Sequence, residues 1–472
     1  MTSQPSKSFL APLALAAISI AVGLAAITHQ SFWMDEGCIA FRSLMPSVKE
    51  WWRMHLHLGG SEVQMPVYPL LAWIWHHIGA NSEYAMRLVN LPWLVIAVLA
   101  LRRERFWPMV LLTSPFALYY AGELRPYAMQ IAAGAVAAGA MRRVIAGSQD
   151  DFSGLHATAG ASLLLAISSL TAAMFSAGLW LGVLVIRPDW LRAAGFWKRI
   201  APWLCGALAI AAYYAWTMVA GYRAAGMGGN VLSIGFGFYE LLGLTGLGPG
   251  RSEIRANPRV VIGALPVLLP AFACIAWAWI GGVRGWIQTA TPRQVAGVAC
   301  AAALPILVLA GVGVLMHFRV LGRHLSPVLP ALLLPIAASL ASAGWRKLPA
   351  VLAVGFGIAS SLSLRFQEKH ARADCRRATD IAIEALQQGK AVFWRADINA
   401  ARFHAYGKGG WPMVNFIQTL ETGGPTSLMF ADIAIISRPE LGFGEADHRA
   451  ELRRNSFELT ETFTGFEVWK SR

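Results

Sequence analysis

Two adjacent carboxylates, Asp35 and Glu36, follow the first long apolar run of the chain. They come directly after Phe32-Trp33-Met34, and aromatic side chains of this kind favour the boundary between lipid and water. Carboxylates are rare and usually functional in a bilayer, and at its edge they can meet both a water-soluble and a lipid-borne reactant. We therefore predict a reaction site at a membrane surface. A solvated interfacial pair is the structural alternative.

The composition indicates where these carboxylates lie. Hydrophobic residues make up 56% of the 472 residues and charged residues 14%. The apolar residues come in long runs rather than with an amphipathic period, which is typical of a helical protein that crosses the lipid bilayer many times. The formal net charge of +14 is dispersed over loop ends and not concentrated on one face, so nucleic acid is not an expected partner.

The apolar runs predict eleven transmembrane helices, and the first has about the length that crosses a hydrocarbon core of about 30 Å as a helix. They lie at residues 9–28, 85–101, 106–120, 124–141, 155–170, 172–187, 200–220, 260–282, 295–316, 325–343 and 348–364. The first run is not followed by a small-residue cleavage pattern, so it is assigned as a helix and not as a signal peptide. Arginines and lysines fall in alternate short connections, which predicts a cytoplasmic amino terminus and an external carboxyl terminus.

Two long connections lie on the predicted outer side. The first covers residues 30–84 and contains a segment at 45–55, with Trp51 and Trp52, that suits a helix lying in the interface. The second covers residues 221–258 and is rich in glycine. It is either a mobile cover over a site or a loosely packed linker.

The chain becomes more charged after residue 364, which predicts a transmembrane domain at 1–364 and a soluble extracytoplasmic α/β domain at 365–472. The predicted elements of the second domain are a helix, two short buried strands and a terminal hairpin, at residues 374–388, 391–394, 433–436 and 457–469. The domain has no nucleotide fingerprint and no metal-ligand spacing. Its expected role is structural, or the positioning of a partner or acceptor.

Five short motifs occur in a fixed order on the predicted outer side. They are Asp35-Glu36, Gln64–Leu71 in the first outer connection, Ser82–Leu88 before the second helix, Tyr119–Ala128 between the third and fourth helices, and Arg323–Pro330 before the tenth. Together they resemble the integral-membrane glycosyltransferases of the C superfamily (GT-C), in the branch of protein O-mannosyltransferases and bacterial aminoarabinose transferases. The resemblance covers most of residues 9–345. Because no lectin-like insertion is present, it implies a bacterial inner-membrane enzyme.

The resemblance implies transfer of a sugar from a polyprenyl-phosphate carrier to a glycolipid, glycan or protein acceptor on the outer face. Inverting transfer requires a base near the acceptor hydroxyl, cations at the departing phosphate and a hydrophobic groove for the lipid. By similarity, Asp35 is the base. Glu36 then orients Asp35 or joins a metal or hydrogen-bond network.

Five further residues complete the site that the resemblance implies. Glu123 is a second acidic position, and the candidates for binding the donor phosphate are Arg125, Arg323, His324 and Arg87. Structural roles stay open for all of them. Glu123 and Arg125 are alternatively an ion pair at a helix end, and the other three are alternatively residues that extend to lipid headgroups.

The sequence leaves a divalent metal cofactor undecided. Where the family commonly has His-Pro-Pro in the first outer connection, this chain has Gln64-Met65-Pro66 and lacks the imidazole. A different sugar, or a reaction without metal, follows if that histidine handles the donor or the metal. The nearby histidines His55, His57, His76 and His77 are scattered over different predicted helices, which favours interfacial or packing roles over ligation.

Two other function classes stay open. A lipid or solute transporter or flippase would also have many spans, but the sequence shows neither internal repeats nor matching interrupted helices. A non-catalytic assembly subunit would explain the outer domain. It would not need paired carboxylates after the first helix.

Overall fold

The structure, a computed structural model, describes most of the chain in separate stretches. They are residues 10–147, 152–193, 195–222, 230–250, 253–254, 257–396, 399–406, 431–437 and 448–472. Parts of the second outer connection, including residues 223–229, lie outside the described residues. The described part is mainly α-helical and ends in a small sheet, which confirms the predicted fold class.

The helices are numbered in chain order over the described residues. The first thirteen are α1 (Leu10–Ala26), α2 (Met34–Ser43), α3 (Val48–Leu58), α4 (Val67–His77), α5 (Glu83–Arg87), α6 (Leu91–Leu101), α7 (Trp107–Leu112), α8 (Pro115–Ala121), α9 (Tyr127–Ala146), α10 (Ser153–Ser168), α11 (Leu170–Ile186), α12 (Phe196–Val219) and α13 (Val231–Leu241). The others are α14 (Val260–Ile287), α15 (Pro292–Leu315), α16 (Leu329–Leu340), α17 (Leu348–Phe366), α18 (Cys375–Gln387) and α19 (His448–Arg454). Residues 399–406 are also helical.

Several of these helices are suited to a bilayer. By length and composition, six segments within the described ranges can cross a membrane: Glu83–Leu101, Phe196–Val219, Val260–Ile287, Pro292–Leu315, Gly322–Leu340 and Gly344–Phe366. Shorter apolar helices accompany them at Ala11–Ala26, Gly154–Ser168, Leu170–Ile186 and Val231–Leu241. Large apolar side chains on the long helices are exposed. Examples are Leu208, Trp277 and Leu307, which are 68%, 64% and 66% exposed. A surface of this kind fits lipid and not water.

The predicted continuous span at 106–120 is wrong in detail, because the structure divides it into α7 and α8. Thr113 ends the first helix, and Ser114 begins the second by accepting a hydrogen bond from the backbone N–H of Ala117 at 3.4 Å. Pro115 at the first position of α8 has no N–H to continue the α7 ladder. Just beyond α8, Glu123 contacts the first outer connection, since Trp33 Nε1 donates to its Oε1 at 2.8 Å.

A 3-10 turn at Gly322–Val328 precedes α16 and packs closely on α9. A Cβ atom at Gly134 would lie 1.9 Å from the carbonyl oxygen of Pro327, so only glycine permits this approach. Ser326 Oγ donates a hydrogen bond of 2.6 Å to Gln130 Oε1 and fixes the turn from the other side. Arg323 therefore has a rigid support.

The carboxyl-terminal segment folds on a four-stranded sheet in the order β1-β2-β4-β3. The strands are β1 (Val392–Arg395), β2 (Ile433–Ser437), β3 (Phe457–Phe463) and β4 (Phe466–Ser471). The first pair is parallel and the other two are antiparallel. These strands and α18 lie within a few residues of their predicted positions, since each has a strong local pattern. The boundary between the two domains stays a prediction.

This segment packs against α2, the helix that begins with the paired carboxylates. A Cβ atom at Gly37 would lie 2.4 Å from the backbone nitrogen of Ala400, so the two helical segments nearly touch there. Arg376 Nε donates to Glu83 Oε1 at 2.8 Å and adds a contact to the first outer connection. The carboxyl-terminal residues and the predicted site therefore lie on the same side of the helices.

Candidate functional site

A polar cavity of about 310 Å³ lies where α8, the Glu240–Gly250 region and the carboxyl-terminal segment meet. The charged residues in its wall are Glu123, Glu240, Arg323, Glu368, Lys369 and Arg372. Aromatic side chains, among them Trp33 and Tyr119, complete it. A cavity of this kind can hold a polar, charged reactant. We call it the polar cavity.

Asp35, the predicted base, is in direct contact with Arg323. Arg323 Nη1 donates a hydrogen bond of 2.7 Å to Asp35 Oδ2, and the side chains of Arg323 and Asp35 are 16% and 21% exposed. The turn that carries Arg323 is also held by Glu240, whose Oε2 accepts from the N–H of Gly322 at 3.0 Å. Two of the predicted site residues, distant in sequence, therefore form one partly accessible ion pair.

Glu36 is fully buried, and both of its oxygens are occupied. Arg87 donates to it from Nε and Nη2, each at 2.8 Å. The N–H of Leu124 adds a bond of 2.8 Å, and Arg372 Nη1 adds one of 2.6 Å. Burial raises the pKa of Glu36, but attraction by the two guanidinium groups outweighs burial and lowers it below the usual range. Glu36 thus stays ionised and holds its neighbours in place.

Arg87 is fully buried, and its remaining bonds favour neither phosphate binding nor the alternative of a side chain that extends to lipid headgroups. Its Nη1 donates to the carbonyls of Thr28 and Gln30, at 2.9 and 2.6 Å, and Nη2 donates to that of Ser31 at 3.2 Å. Together with the two bonds to Glu36, these occupy all five N–H groups of the guanidinium. No donor of Arg87 is left for a phosphate.

Glu123 lies in the connection between α8 and α9 and has one unoccupied oxygen among the described residues. Trp33 Nε1 donates to Oε1 at 2.8 Å, whereas Oε2 is buried and has no hydrogen-bond partner among the described residues. Burial raises the pKa of Glu123 to about 7, Arg372 opposes the rise, and Glu36 adds to it. A carboxyl group with this pKa in a cavity wall can take up or release a proton near neutral pH.

Glu123 should make stability fall as the pH rises. Its ordinary pKa is 4.5 and its folded pKa is about 7, so between these values the folded state holds a proton that the unfolded state has lost. The free energy of unfolding then decreases from about pH 4.5 to about pH 7. We expect Glu123→Gln to remove this decrease. The melting temperature of the variant minus that of the wild type should therefore rise between about pH 4.5 and about pH 7. Parallel pH profiles of the two proteins would contradict the assignment.

Arg125 does not pair with its sequence neighbour Glu123. Its Nη1 donates to a carboxylate oxygen of Glu62 and, at 3.1 Å, to the backbone carbonyl of Asp35. Glu62 also has Arg42 Nη2 at 3.9 Å. In place of the alternative ion pair with Glu123, Arg125 therefore pairs with a residue of the first outer connection. Arg125 is absent from the wall of the polar cavity, and it supports the backbone of Asp35.

His324 takes part in the local turn. The N–H of Leu321 donates to its Nδ1 at 3.1 Å, and its ring lies 5.2 Å from that of Phe318. It does not line the polar cavity. Of the four candidates for phosphate binding, the structure brings only Arg323 into that cavity wall.

Sequence reasoning missed Arg372. Its guanidinium lies 5.5 Å from the ring of Tyr119 and lines the polar cavity. Burial lowers the pKa of Arg372, but the opposing effects of Glu36 and Tyr119 are larger in sum and raise it above the usual value. The guanidinium therefore stays charged. The one available signal was a basic cluster, Lys369-His370-Ala371-Arg372, directly after the last apolar run. That signal is also typical of a helix end at a membrane.

Two histidines of the first outer connection, His55 and His76, have partners within the protein, and His57 and His77 are exposed. His55 is buried, lies 5.0 Å from the ring of Trp51, and has its pKa lowered to about 3 by burial and by Arg42. His76 Nδ1 lies 3.0 Å from the carbonyl of Ala80. In the part of the chain that the structure describes, no group of three or more His, Cys, Asp or Glu side chains could hold a metal ion.

An apolar groove of about 360 Å³ adjoins the polar cavity, and Pro115 lines both. Its wall comes from α7, α13, α14, α16 and α17, with residues such as Leu241, Phe272 and Leu332. Phe272 is 49% exposed, so the groove reaches the lipid-facing surface. An apolar groove of this kind can hold part of a hydrocarbon chain.

Known structures with the same architecture exist, although sequence comparisons find nothing. No family model matches the chain, and no curated protein matches it. Its fold is similar to that of ArnT from Cupriavidus metallidurans in the apo state, with a TM-score of 0.59 and 14% identity over 98% of both chains. For ArnT bound to undecaprenyl phosphate, the TM-score is 0.54 and the identity 12%, again over 98% of both chains. The resemblance predicted from the five motifs is thus confirmed at the level of the fold.

Proposed function

We propose that this protein transfers a sugar from a polyprenyl-phosphate carrier to a glycolipid, glycan or protein acceptor, with inversion at the sugar. The observation that carries the proposal is the polar cavity, with its carboxylates and arginines, beside an apolar groove that shares Pro115 as a wall residue. This is the pairing that a lipid-linked, phosphorylated donor needs. The similarity in fold to ArnT, which has been seen with undecaprenyl phosphate bound, supports it.

The contact between Asp35 and Arg323 suggests how the reaction begins. A donor phosphate that binds Arg323 competes with Asp35 for the guanidinium, and the carboxylate is released beside the acceptor. The acceptor oxygen then forms a bond to the anomeric carbon and gives its proton to Asp35. The bond from that carbon to the phosphate oxygen breaks, and the phosphate keeps the electron pair.

The proposed location is the bacterial inner membrane, with the polar cavity on the outer face. At the opposite end of the helices, Arg142 forms an ion pair with Glu104, and Gln294 Nε2 donates to the carbonyl of Ile145 at 3.4 Å. These contacts bring several of the basic connections together on one side. The positive-inside rule makes that side cytoplasmic.

Arg323→Lys tests the phosphate contact. Lysine keeps the charge but loses the planar fork, so one charge-assisted hydrogen bond to the phosphate should be lost. Such a bond is worth about 1.5–3 kcal/mol, and we expect catalytic efficiency with the donor to fall about ten- to hundredfold. The measurement is release of polyprenyl phosphate by purified protein at varied donor concentration. It also distinguishes an enzyme from a transporter.

A suitable control is Arg319→Lys, since Arg319 precedes the same turn and is absent from the polar cavity wall. Its kinetics should match those of the wild type. Equal donor dependence of the wild type and Arg323→Lys, at equal melting temperature, would mean that Arg323 only extends to lipid headgroups.

A further inference from the structure

Arg372 is a cation that the carboxyl-terminal segment places inside the polar cavity. It follows α17, and its side chain is 9% exposed. Glu36 accepts from its Nη1 at 2.6 Å, and Tyr119 lies beneath its guanidinium. Both contacts come from the helical part of the chain. Arg372 therefore belongs spatially to the predicted site, although in sequence it lies far from every motif of that site.

The guanidinium of Arg372 has N–H groups that make no hydrogen bond within the described residues, whereas that of Arg87 has none. Arg87 donates all five of its N–H groups to protein oxygens. Over the described residues, Arg372 makes one hydrogen bond, the bond from Nη1 to Glu36. Nε and the remaining N–H groups of Arg372 can therefore donate to another anion in the cavity.

Arg372 and Arg323 both lie near the carboxyl group of Glu123. Both attract the carboxyl group of Glu123, since each opposes the rise of its pKa. Both also line the polar cavity. An anion placed beside Glu123 would thus have a guanidinium group from the helical part and another from the carboxyl-terminal segment.

Contacts on both sides of Arg372 hold it in position. Lys369 Nζ donates to the carbonyl of Gly248 at 3.0 Å, and the N–H of Asp374 donates to the carbonyl of Thr464 at 2.9 Å. Gly465 turns the β3–β4 hairpin with a φ of +78°, and a Cβ atom there would lie 2.5 Å from that of Ala373. The segment is therefore pre-organised, which lowers the entropic cost of binding an anion.

We propose that Arg372 binds the phosphate of the lipid carrier together with Arg323, so that the carboxyl-terminal segment supplies part of the donor site. This rests on the proposed function. As the bond from the anomeric carbon to the phosphate oxygen breaks, negative charge collects on the phosphate, and the two guanidinium groups stabilise it. The carboxyl-terminal segment then takes part in donor binding directly and is more than a structural addition.

The test measures the affinity of the full-length protein for undecaprenyl phosphate and for undecaprenol, the same chain without phosphate. We expect Arg372→Lys and Arg372→Gln to weaken binding of undecaprenyl phosphate about ten- to hundredfold. Binding of undecaprenol should not change, because the apolar groove is untouched. The matched control is Arg377→Gln, which removes the same charge from an exposed position paired with Glu461. It should bind both lipids like the wild type.

Each outcome decides the matter. If the wild type binds undecaprenyl phosphate and Arg372→Lys binds it equally well, the assignment of Arg372 is wrong while the proposed function stands. If the Arg372 variants lose both lipids in parallel, the residue has a structural role and the assignment is again wrong. If the wild type does not prefer undecaprenyl phosphate to undecaprenol, the proposed function fails and the assignment fails with it. Melting temperatures identify which of the two Arg372 variants stays folded, and the lipid affinities of that variant decide between these outcomes.

Discussion

Asp35→Asn is expected to lower the rate of sugar transfer by about 10² to 10⁴ and to leave the protein folded. The amide cannot accept the acceptor proton, so the general base is lost. Its oxygen can still accept the hydrogen bond that Arg323 Nη1 makes to Oδ2 in the wild type. Because Asp35 is also partly exposed, at 21%, the structural cost should be small. The measurement is the initial rate of transfer from a polyprenyl-phosphate sugar, beside a melting curve.

The matched control for this change is Asp189→Asn. Asp189 likewise pairs with an arginine, Arg187 Nη2 at 2.9 Å, but it lies in the connection after α11, on the predicted cytoplasmic side. Its variant should retain full activity. Turnover near that of the wild type by well-folded Asp35→Asn would remove Asp35 from the mechanism. Glu123, with its buried unoccupied oxygen, would then be the next candidate for the base.

Arg87→Gln is expected to destabilise the fold by about 3–5 kcal/mol, because it breaks a fully buried ion pair. Glu36 would keep its bonds from Arg372 and from the N–H of Leu124 but would lose the bidentate partner. The carbonyls of Thr28, Gln30 and Ser31, which accept from Arg87, would also lose donors. The free energy of unfolding in detergent, together with the melting temperature, measures the effect.

The control here is Arg142→Gln, which breaks an ion pair with Glu104 whose side chains are 42% and 34% exposed. Exposed pairs of this kind contribute at most about 1 kcal/mol, so its effect should be small. If Arg87→Gln has wild-type stability but loses donor binding, Arg87 binds the donor phosphate, as the sequence suggested.

The sequence by itself determined the elements that depend on local pattern. Long apolar runs predict membrane helices because the hydrocarbon core sets their length, and α14, α15 and α17 lie close to the predicted positions. The sheet strands and α18 were predicted for a similar reason, since alternation and helical periodicity are visible within a few residues. The place of Asp35 and Glu36 after the first helix likewise led to the prediction of a site there.

Only the tertiary structure decided what each charged residue does. Glu36 and Asp35 are adjacent in sequence, yet one is buried between Arg87 and Arg372 and the other contacts Arg323. The function of an arginine depends on how many of its five N–H groups the protein already uses, and those partners lie far away along the chain. Arg87 uses all of them, whereas Arg372, which no motif indicated, uses one among the described residues. Hydrogen-bond saturation is a property of the assembled fold, so local sequence cannot show it.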